Sequence, residues 1–285
     1  MQKLKFLLFL TFLVVFISGE TVSQSSNIIS IDHIPIVVKD LDNTKKELSE
    51  LLHFTVKEGK AHAGIQNCFV KFQDGTYLEF ITPTDSLQSI GKYYSDFLKN
   101  RQGGTSLAIS VKNSETIIDF LKEKKIQSEI DSNKIWKTVE PNGFDLFFID
   151  YADKDWKDSK TNTSHLNEAI LLKSTYIIDT KQNSFAKKYK TLGFSGNKKG
   201  DFLGIPYKTL LVGKSNLNLL NSSKANKIIS KFNSQNFTGI CGFEIKVKSL
   251  ETLEKLLPKA ENIINEKGKI IYFFSDSNFF LEFTE

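Results

Sequence analysis

The sequence predicts an α+β protein of four βαβββ modules paired into two cup-shaped units. Three observations carry this reading. Strand-length apolar runs alternate with single short amphipathic helices. The order strand, helix, strand, strand, strand comes back along the chain. The returns are spaced by roughly 65 to 75 residues, too long for a solenoid repeat and enough for one supersecondary unit. A lone βαβββ unit leaves one sheet face bare, so the modules are expected to close on each other in pairs.

An apolar, β-branched run over residues 31–38 is the first strand, and a helix follows with Leu48, Leu51 and Leu52 on one face. Asp42 or Thr44 is the expected cap, Thr44 standing at capping-box spacing from Glu47. Residues 53–56, 68–72 and 76–81 read as three further strands, the last two joined by the hairpin signal Asp74-Gly75. The second module reads as strands at 106–111, 126–130, 135–139 and 144–149 around a helix at 115–123, with a turn at Pro141-Asn142-Gly143. A charged linker follows at 153–163. The third module reads as a strand at 169–178, a helix at 184–192 and strands at 209–212 and 217–220. The fourth has a strand at 243–247, a helix at 250–257 and strands at 269–274 and 278–283. The simplest partition pairs modules one and two in residues 28–155 and modules three and four in residues 165–285. A crossed pairing of the first with the fourth stays open.

The chain has 285 residues, 40% of them hydrophobic, enough for one large core or two domains of ordinary size. Its lysines are interspersed with acids, as at Lys122, Glu123 and Lys124. The net charge of +5 therefore reads as a solvated surface, and no nucleic-acid partner is expected. Arg101 is the only arginine, which excludes a site built on several bidentate guanidinium clamps.

Residues 1–22 read as a signal peptide. Residues 1–5 are basic, residues 6–17 are largely apolar, and Ser18, Gly19 and Glu20 follow. A spanning helix needs roughly 20 apolar residues, more than this run supplies. A secreted or periplasmic protein is expected, cleaved between about Gly19 and Gln24. An uncleaved anchor is the alternative, and it is the only membrane contact expected. Cys68 and Cys241 fit no zinc-ligand spacing. Two buried free thiols, or a disulfide in an oxidising compartment, both stay open.

In the first module, Asp32-His33-Ile34 opens the first strand and Asp40-Leu41-Asp42 opens the helix. His62-Ala63-Gly64-Ile65-Gln66-Asn67 precedes the third strand, and Asp74-Gly75-Thr76-Tyr77-Leu78-Glu79-Phe80 forms the last hairpin. Phe147-Phe148-Ile149-Asp150-Tyr151 ends the second module and His165-Leu166-Asn167-Glu168-Ala169 opens the third. In their order and spacing these segments resemble the glyoxalase-like branch of the vicinal-oxygen-chelate (glyoxalase/bleomycin-resistance/dioxygenase) superfamily, over nearly all of the chain after the leader. That resemblance implies a cup between paired modules and a divalent metal held by residues of first and last module strands. It implies no organic cofactor.

The residues themselves fit part of that expectation. Strand alternation puts His33 on one face with Pro35 and Val37, and Glu79 with Tyr77 and Ile81. Imidazole and carboxylate converging from neighbouring strands suit zinc, iron, nickel or manganese. His33, Glu79 and His62 are the candidate metal ligands, with Glu79 and His62 also the candidate acid–base groups. Asn67, Tyr77, His165 and Asn167 are the candidate substrate contacts. The pattern then breaks, because Ser106 and Gly242 stand where later modules would repeat His33, and only Glu282 repeats Glu79.

Two functions follow. One is an exported, metal-dependent lyase, isomerase or dioxygenase acting on a small oxygenated molecule. The other is a non-catalytic small-molecule-binding protein of the same fold without a metal. Either is compatible with a homodimer.

Overall fold

A computed structural model describes residues 27–154, 157–179, 184–229, 237–274 and 277–285. The expected signal peptide lies outside the described residues. Among the described residues no helix is long and apolar enough to cross a membrane.

The first module comprises β1 (Ile28–Val37), α1 (Leu41–Lys46), β2 (Lys57–Glu58), β3 (Ile65–Lys71) and β4 (Tyr77–Pro83). After it come α2 (Ser89–Leu98) and the two-residue β5 (Gly103–Gly104). The second module comprises β6 (Leu107–Val111), α3 (Ser114–Glu123), β7 (Ser128–Ser132), β8 (Trp136–Pro141) and β9 (Leu146–Tyr151), and the short α4 (Lys160–Thr163) leads out of it. The third comprises β10 (Ala169–Asp179), α5 (Ser184–Thr191), β11 (Ser195–Phe202), β12 (Ile205–Val212) and β13 (Ser215–Asn221), followed by α6 (Ser222–Ile229). The fourth comprises β14 (Gly239–Val247), α7 (Leu250–Leu256), β15 (Ile263–Glu266), β16 (Lys269–Phe273) and β17 (Phe280–Thr284).

The βαβββ order therefore recurs four times. The strands form two sheets, ordered β2-β3-β4-β1-β6-β9-β8-β7 and β11-β12-β13-β10-β14-β17-β16-β15. In each, the first strands of two successive modules pair antiparallel at the centre, β1 with β6 and β10 with β14. Joining the modules there turns both sheets into curved cups.

Local chemistry explains several boundaries. Asp40, not Asp42 or Thr44, caps α1: its Oδ1 accepts from Asn43 N at 2.9 Å, and Thr44 Oγ1 donates to Asp40 O at 2.8 Å. Residues 53–56 do not form the expected strand. Leu52 N and Phe54 N donate back to Glu47 O and Leu48 O at 2.9 and 2.8 Å, closing a wide turn of helix, and His53 takes a left-handed backbone with φ +57°. Those donors are thus withdrawn from a ladder. The hairpin at Asp74-Gly75 does form, with Gly75 at φ +93° and Phe72 N donating to Thr76 O at 2.8 Å. Among the described residues, the helices α2, α4 and α6 and the strands β2, β5, β11 and β15 lie where no element was expected.

One apolar core joins the two units. It takes Ile34, Ile36, Leu78 and Phe80 from the outer face of the first sheet. Phe243, Ile245, Leu281 and Phe283 join them from the outer face of the second. Backbone bonds also cross the boundary: Lys214 N donates to Ile29 O at 2.9 Å and Gln73 N to Ile170 O at 3.2 Å. Arg101 clamps the seam, reaching Ile240 O at 3.2 Å and Gly104 O at 2.9 Å. Cys68 belongs to this core and Cys241 to a separate cluster, both as free buried thiols. Burial pushes the Cys68 thiol up to about 12.

The inner faces of the two cups differ. The second is packed with its own side chains, among them Tyr176, Phe202, Phe273 and Phe280, with Ala225 and Ile229 of α6 against them. The rings of Phe202 and Phe280 stack at 4.4 Å. Gly242 makes this filling feasible, since a Cβ there would stand 2.2 Å from the Phe280 ring. The first cup carries only a small apolar cluster of Val37, Ile65 and Ile81, covered by Tyr94, Phe97 and Leu98 of α2.

Candidate functional site

The inner face of the first cup opens into a cleft of about 680 Å³. Its floor is a row of side chains in register across neighbouring strands. Lys71 of β3 lies opposite Tyr77 of β4, which lies opposite His33 of β1, with Ala108 of β6 and Phe147 of β9 continuing the row. Alternation directs Asn67, Phe69 and Lys71 of β3 into the cleft together with Tyr77, Glu79 and Ile81 of β4.

His33 is held on every side. Its ring stacks on Tyr77 at 4.3 Å with 10° between planes, and Phe147 meets it edge-on at 5.7 Å. Nδ1 lies 2.7 Å from Asp32 Oδ1. An ionised carboxylate only accepts, so Nδ1 carries the proton and, in the neutral ring, Nε2 presents a lone pair. Nε2 faces Glu79 Oε2 across 3.8 Å, beyond hydrogen-bond length. Glu79 is fixed from the other side by Asn67 Nδ2, which donates to Oε1 at 2.7 Å. Asn67 Oδ1 is buried without a hydrogen-bond partner and packs against Gly59, where a Cβ would come within 1.7 Å.

Asp32 is a residue that strand alternation alone sends to the other face. The β1–β6 pairing slips between Ile31 and His33, and this bulge lets neighbouring residues share a side. Asp32 Oδ1 also accepts from the Tyr151 hydroxyl at 3.0 Å. Tyr77 in turn donates to Tyr151. Burial pushes both phenols above their ordinary range, so they stay protonated donors. Tyr77, Tyr151, Asp32 and His33 thus form one hydrogen-bonded chain ending at Nε2.

Lys71 Nζ lies 4.4 Å from the Tyr77 ring centroid and 3.4 Å from Asp158. Burial lowers its pKa, with Asp158 opposing. Burial pushes the Asp158 carboxyl up, but Lys57 at 2.8 Å, Asn162 at 2.6 Å and Ser159 N at 2.8 Å more than reverse that. The linker residue Asp158 is therefore shared by the ammonium groups of Lys57 and Lys71 at that end of the floor.

The structure brings His33, Asn67, Tyr77 and Glu79 together. His62 lies on the exposed rim of the same cleft. His165 and Asn167 are not brought to it. His165 Nδ1 accepts from Thr55 N at 3.0 Å, and Nε2 donates to Lys71 O at 2.9 Å. Asn167 is fully buried, donating to Leu52 O at 2.6 Å and accepting from Ala169 N at 3.1 Å. Both tie the start of the third module to the first. Asp32, Tyr151 and Lys71 complete the site and were missed as candidates. The apolar alternation ending at Tyr151 was the available signal for that residue.

Over residues 31–193, more than half of its length, the chain matches the Glyoxalase-like domain family. It belongs to that family. No curated protein matches the sequence. Among solved structures, the glyoxalase-like chain is similar to a 4-hydroxymandelate synthase variant from Streptomyces coelicolor, at TM-score 0.62 and 11% identity, covering 90% of this chain and 92% of that one. It is similar to a variant of homoprotocatechuate 2,3-dioxygenase from B. fuscum, at TM-score 0.61 and 12% identity, covering 91% and 72%. A hypothetical protein from Staphylococcus aureus matches at TM-score 0.60 and 11% identity, covering 89% and 98%. At such identities the likeness shows the fold, that of the vicinal-oxygen-chelate superfamily.

The donor set decides whether a metal fits. A catalytic metal takes about three protein ligands. His33 Nε2 and Glu79 Oε2 are two, and Asp32 is committed behind the ring to Nδ1. In the second module Ala108 pairs with Phe147 as His33 pairs with Tyr77, so Ala108, not the expected Ser106, and Ile149 stand at the strand positions of His33 and Glu79. Among the described residues no group of three His, Cys, Asp or Glu could hold a metal ion. The residues present do not fit a resident catalytic metal of the glyoxalase-like kind.

Proposed function

We propose that this glyoxalase-like protein binds a small organic molecule in its first cup and does so without a resident metal. The observation that carries the reading is the contrast between cups built on one plan. The second is filled by its own rings, while the first keeps an open cleft over a polar floor. Pockets of a few hundred Å³ with a few fixed polar groups are the usual form of small-molecule sites. In this cup His33 and Glu79 recognise and orient the ligand, and Tyr77, Tyr151 and Asp32 hold the imidazole in one orientation.

The test is a thermal-shift panel of small hydroxy and oxo compounds on tag-free protein in a chelator, with elemental analysis of the same sample. Shifts that persist in the chelator and vanish in His33→Ala and Glu79→Ala are expected. Stoichiometric zinc, iron, nickel or manganese in the wild type, lost in both variants, would overturn the metal-free reading.

We further propose that the protein acts outside the cytoplasm, on the strength of the basic start and short apolar run of residues 1–22. N-terminal sequencing of the native protein is expected to begin between about Gly19 and Gln24. An intact Met1 on cytosolic protein would refute export.

A further inference from the structure

We infer that the outer edge of β7 docks an extended segment of another protein, one in which two basic residues flank an apolar residue. The segment adds a strand to the first sheet. This surface is separate from the cleft of the first cup, with which the groove beside β7 shares no lining residue.

β7 ends the first sheet, and among the described residues β8 is its only strand partner. The antiparallel ladder fixes which way its backbone groups point. Asn142 N donates to Gln127 O at 2.8 Å, and Asn133 N donates to Trp136 O at 3.0 Å. Hydrogen-bonded pairs alternate along such a ladder, so Glu129 and Asp131 also turn their backbone groups to β8. Pro141, which has no N–H, stands opposite Ser128, as that alternation requires. Ser128, Ile130 and Ser132 therefore direct their N–H and C=O groups outward. Such a row is a template for a further strand. Ile130, at its centre, is 51% exposed, and β7 contains no proline, lysine or bulge to guard the edge.

The side chains select the occupant, because residues directly opposed on paired strands share a face. Ile130 lines a groove of about 550 Å³ between β7 and the end of α3. Ile118 and Ile126 give that groove apolar walls, and the exposed Lys122 and Lys125 stand beside them. An apolar residue opposite Ile130 therefore enters the groove and leaves water with it. Glu129 and Asp131 lie on the other face of the strand, both exposed, and among the described residues neither has an ion-pair partner. Glu129 also stands opposite Glu140, whose carboxyl is raised by burial and then by Glu129. Like charges directly opposed weaken a strand pair, so a basic residue brought beside Glu129 relieves this one. A second copy of the chain does not fit. Two β7 strands paired antiparallel about Ile130 set Glu129 against Asp131 twice.

The experiment is NMR titration of the isotope-labelled full protein with the peptide Thr-Thr-Lys-Val-Lys-Thr-Thr, blocked at both ends. Saturable shifts are expected at the amides of Ser128, Ile130 and Ser132. The isomer Thr-Thr-Lys-Lys-Val-Thr-Thr carries the same charge but puts its lysines on opposite faces, and should bind about fivefold more weakly. Thr-Thr-Glu-Val-Glu-Thr-Thr should not bind. Ile130→Pro removes an outward N–H that the ladder to β8 does not use, and should abolish binding with the fold kept. The double variant Glu129→Lys, Asp131→Lys should reverse the preference, taking the glutamate peptide over the lysine one. It decides the matter even where the proline variant fails to fold. Equal binding of the two lysine isomers, or no shift at β7 at millimolar peptide, would overturn strand addition. Concentration-dependent self-association that Ile130→Pro removes would make the occupant a second copy and overturn the assigned partner.

Discussion

Replacing Phe80 by Ala is expected to cost about 3–5 kcal/mol of stability. Phe80 is fully buried on the outer face of the first sheet. Its ring lies 6.4 Å from that of Phe274 and 6.3 Å from that of Phe279, both in the fourth module. Truncation removes the transfer free energy of a benzyl group. It also leaves a void between two sheets that cannot collapse independently. Because one apolar core runs through both units, the variant should still unfold in a single transition, shifted down as a whole. Differential scanning calorimetry of wild type and Phe80→Ala checks both points. A loss under about 1 kcal/mol, or a shift confined to one of two separate transitions, would show that the units do not share a load at this contact.

Acidification from pH 7.5 to 4.5 is expected to destabilise the protein through His165. Burial lowers its pKa from 6.5 to about 4, against the opposing hydrogen bond to Lys71 O. The unfolded state takes up the proton first, so the stabilisation is complete above about 6.5 and is lost as pH falls toward 4. A shift of that size corresponds to about 3 kcal/mol when fully expressed. Protonated Nδ1 can no longer accept from Thr55 N, so the contact between the first module and the start of the third opens. Urea denaturation at the two pH values should show a larger loss for wild type than for His165→Gln, which starts less stable. The comparison also subtracts the carboxyls of Glu282, Glu140 and Asp74. Burial raises these, so acid favours their folded form and works the other way. Parallel pH dependences in the two proteins would remove His165 from this role.

Much of the first cup was legible from alternation. His33 and Glu79 face the same way because each lies on a strand whose neighbours alternate apolar and polar, and that period is local. Asp32 was not legible, because it reaches the same side only through a bulge that strand pairing imposes. His165 and Asn167 looked like ligand contacts in the sequence, yet their partners are backbone groups of Thr55, Lys71, Leu52 and Ala169. Three of those partners lie more than 90 residues away, a distance no local pattern reports. β11 escaped for a related reason. Its sequence Ser-Gly-Asn-Lys-Lys-Gly-Asp-Phe has no alternation, and it is a strand because β12 pairs with it.

The sequence by itself determined the βαβββ repeat, the pairing of imidazole with carboxylate on adjacent strands, and the basic and apolar start of the chain. All three rest on patterns a few residues long, where side-chain periodicity and turn chemistry act directly. Only the tertiary structure decided that the modules pair in succession, that the second cup is filled while the first is open, and that His33 is backed by Asp32 and Tyr151. Those outcomes depend on which distant side chains share a volume. Gly242 admits the Phe280 ring into one cup, whereas the first cup keeps an open cleft lined by its floor, α2 and the β7–β8 turn. Packing between remote segments set that difference, and no stretch of sequence contains both partners.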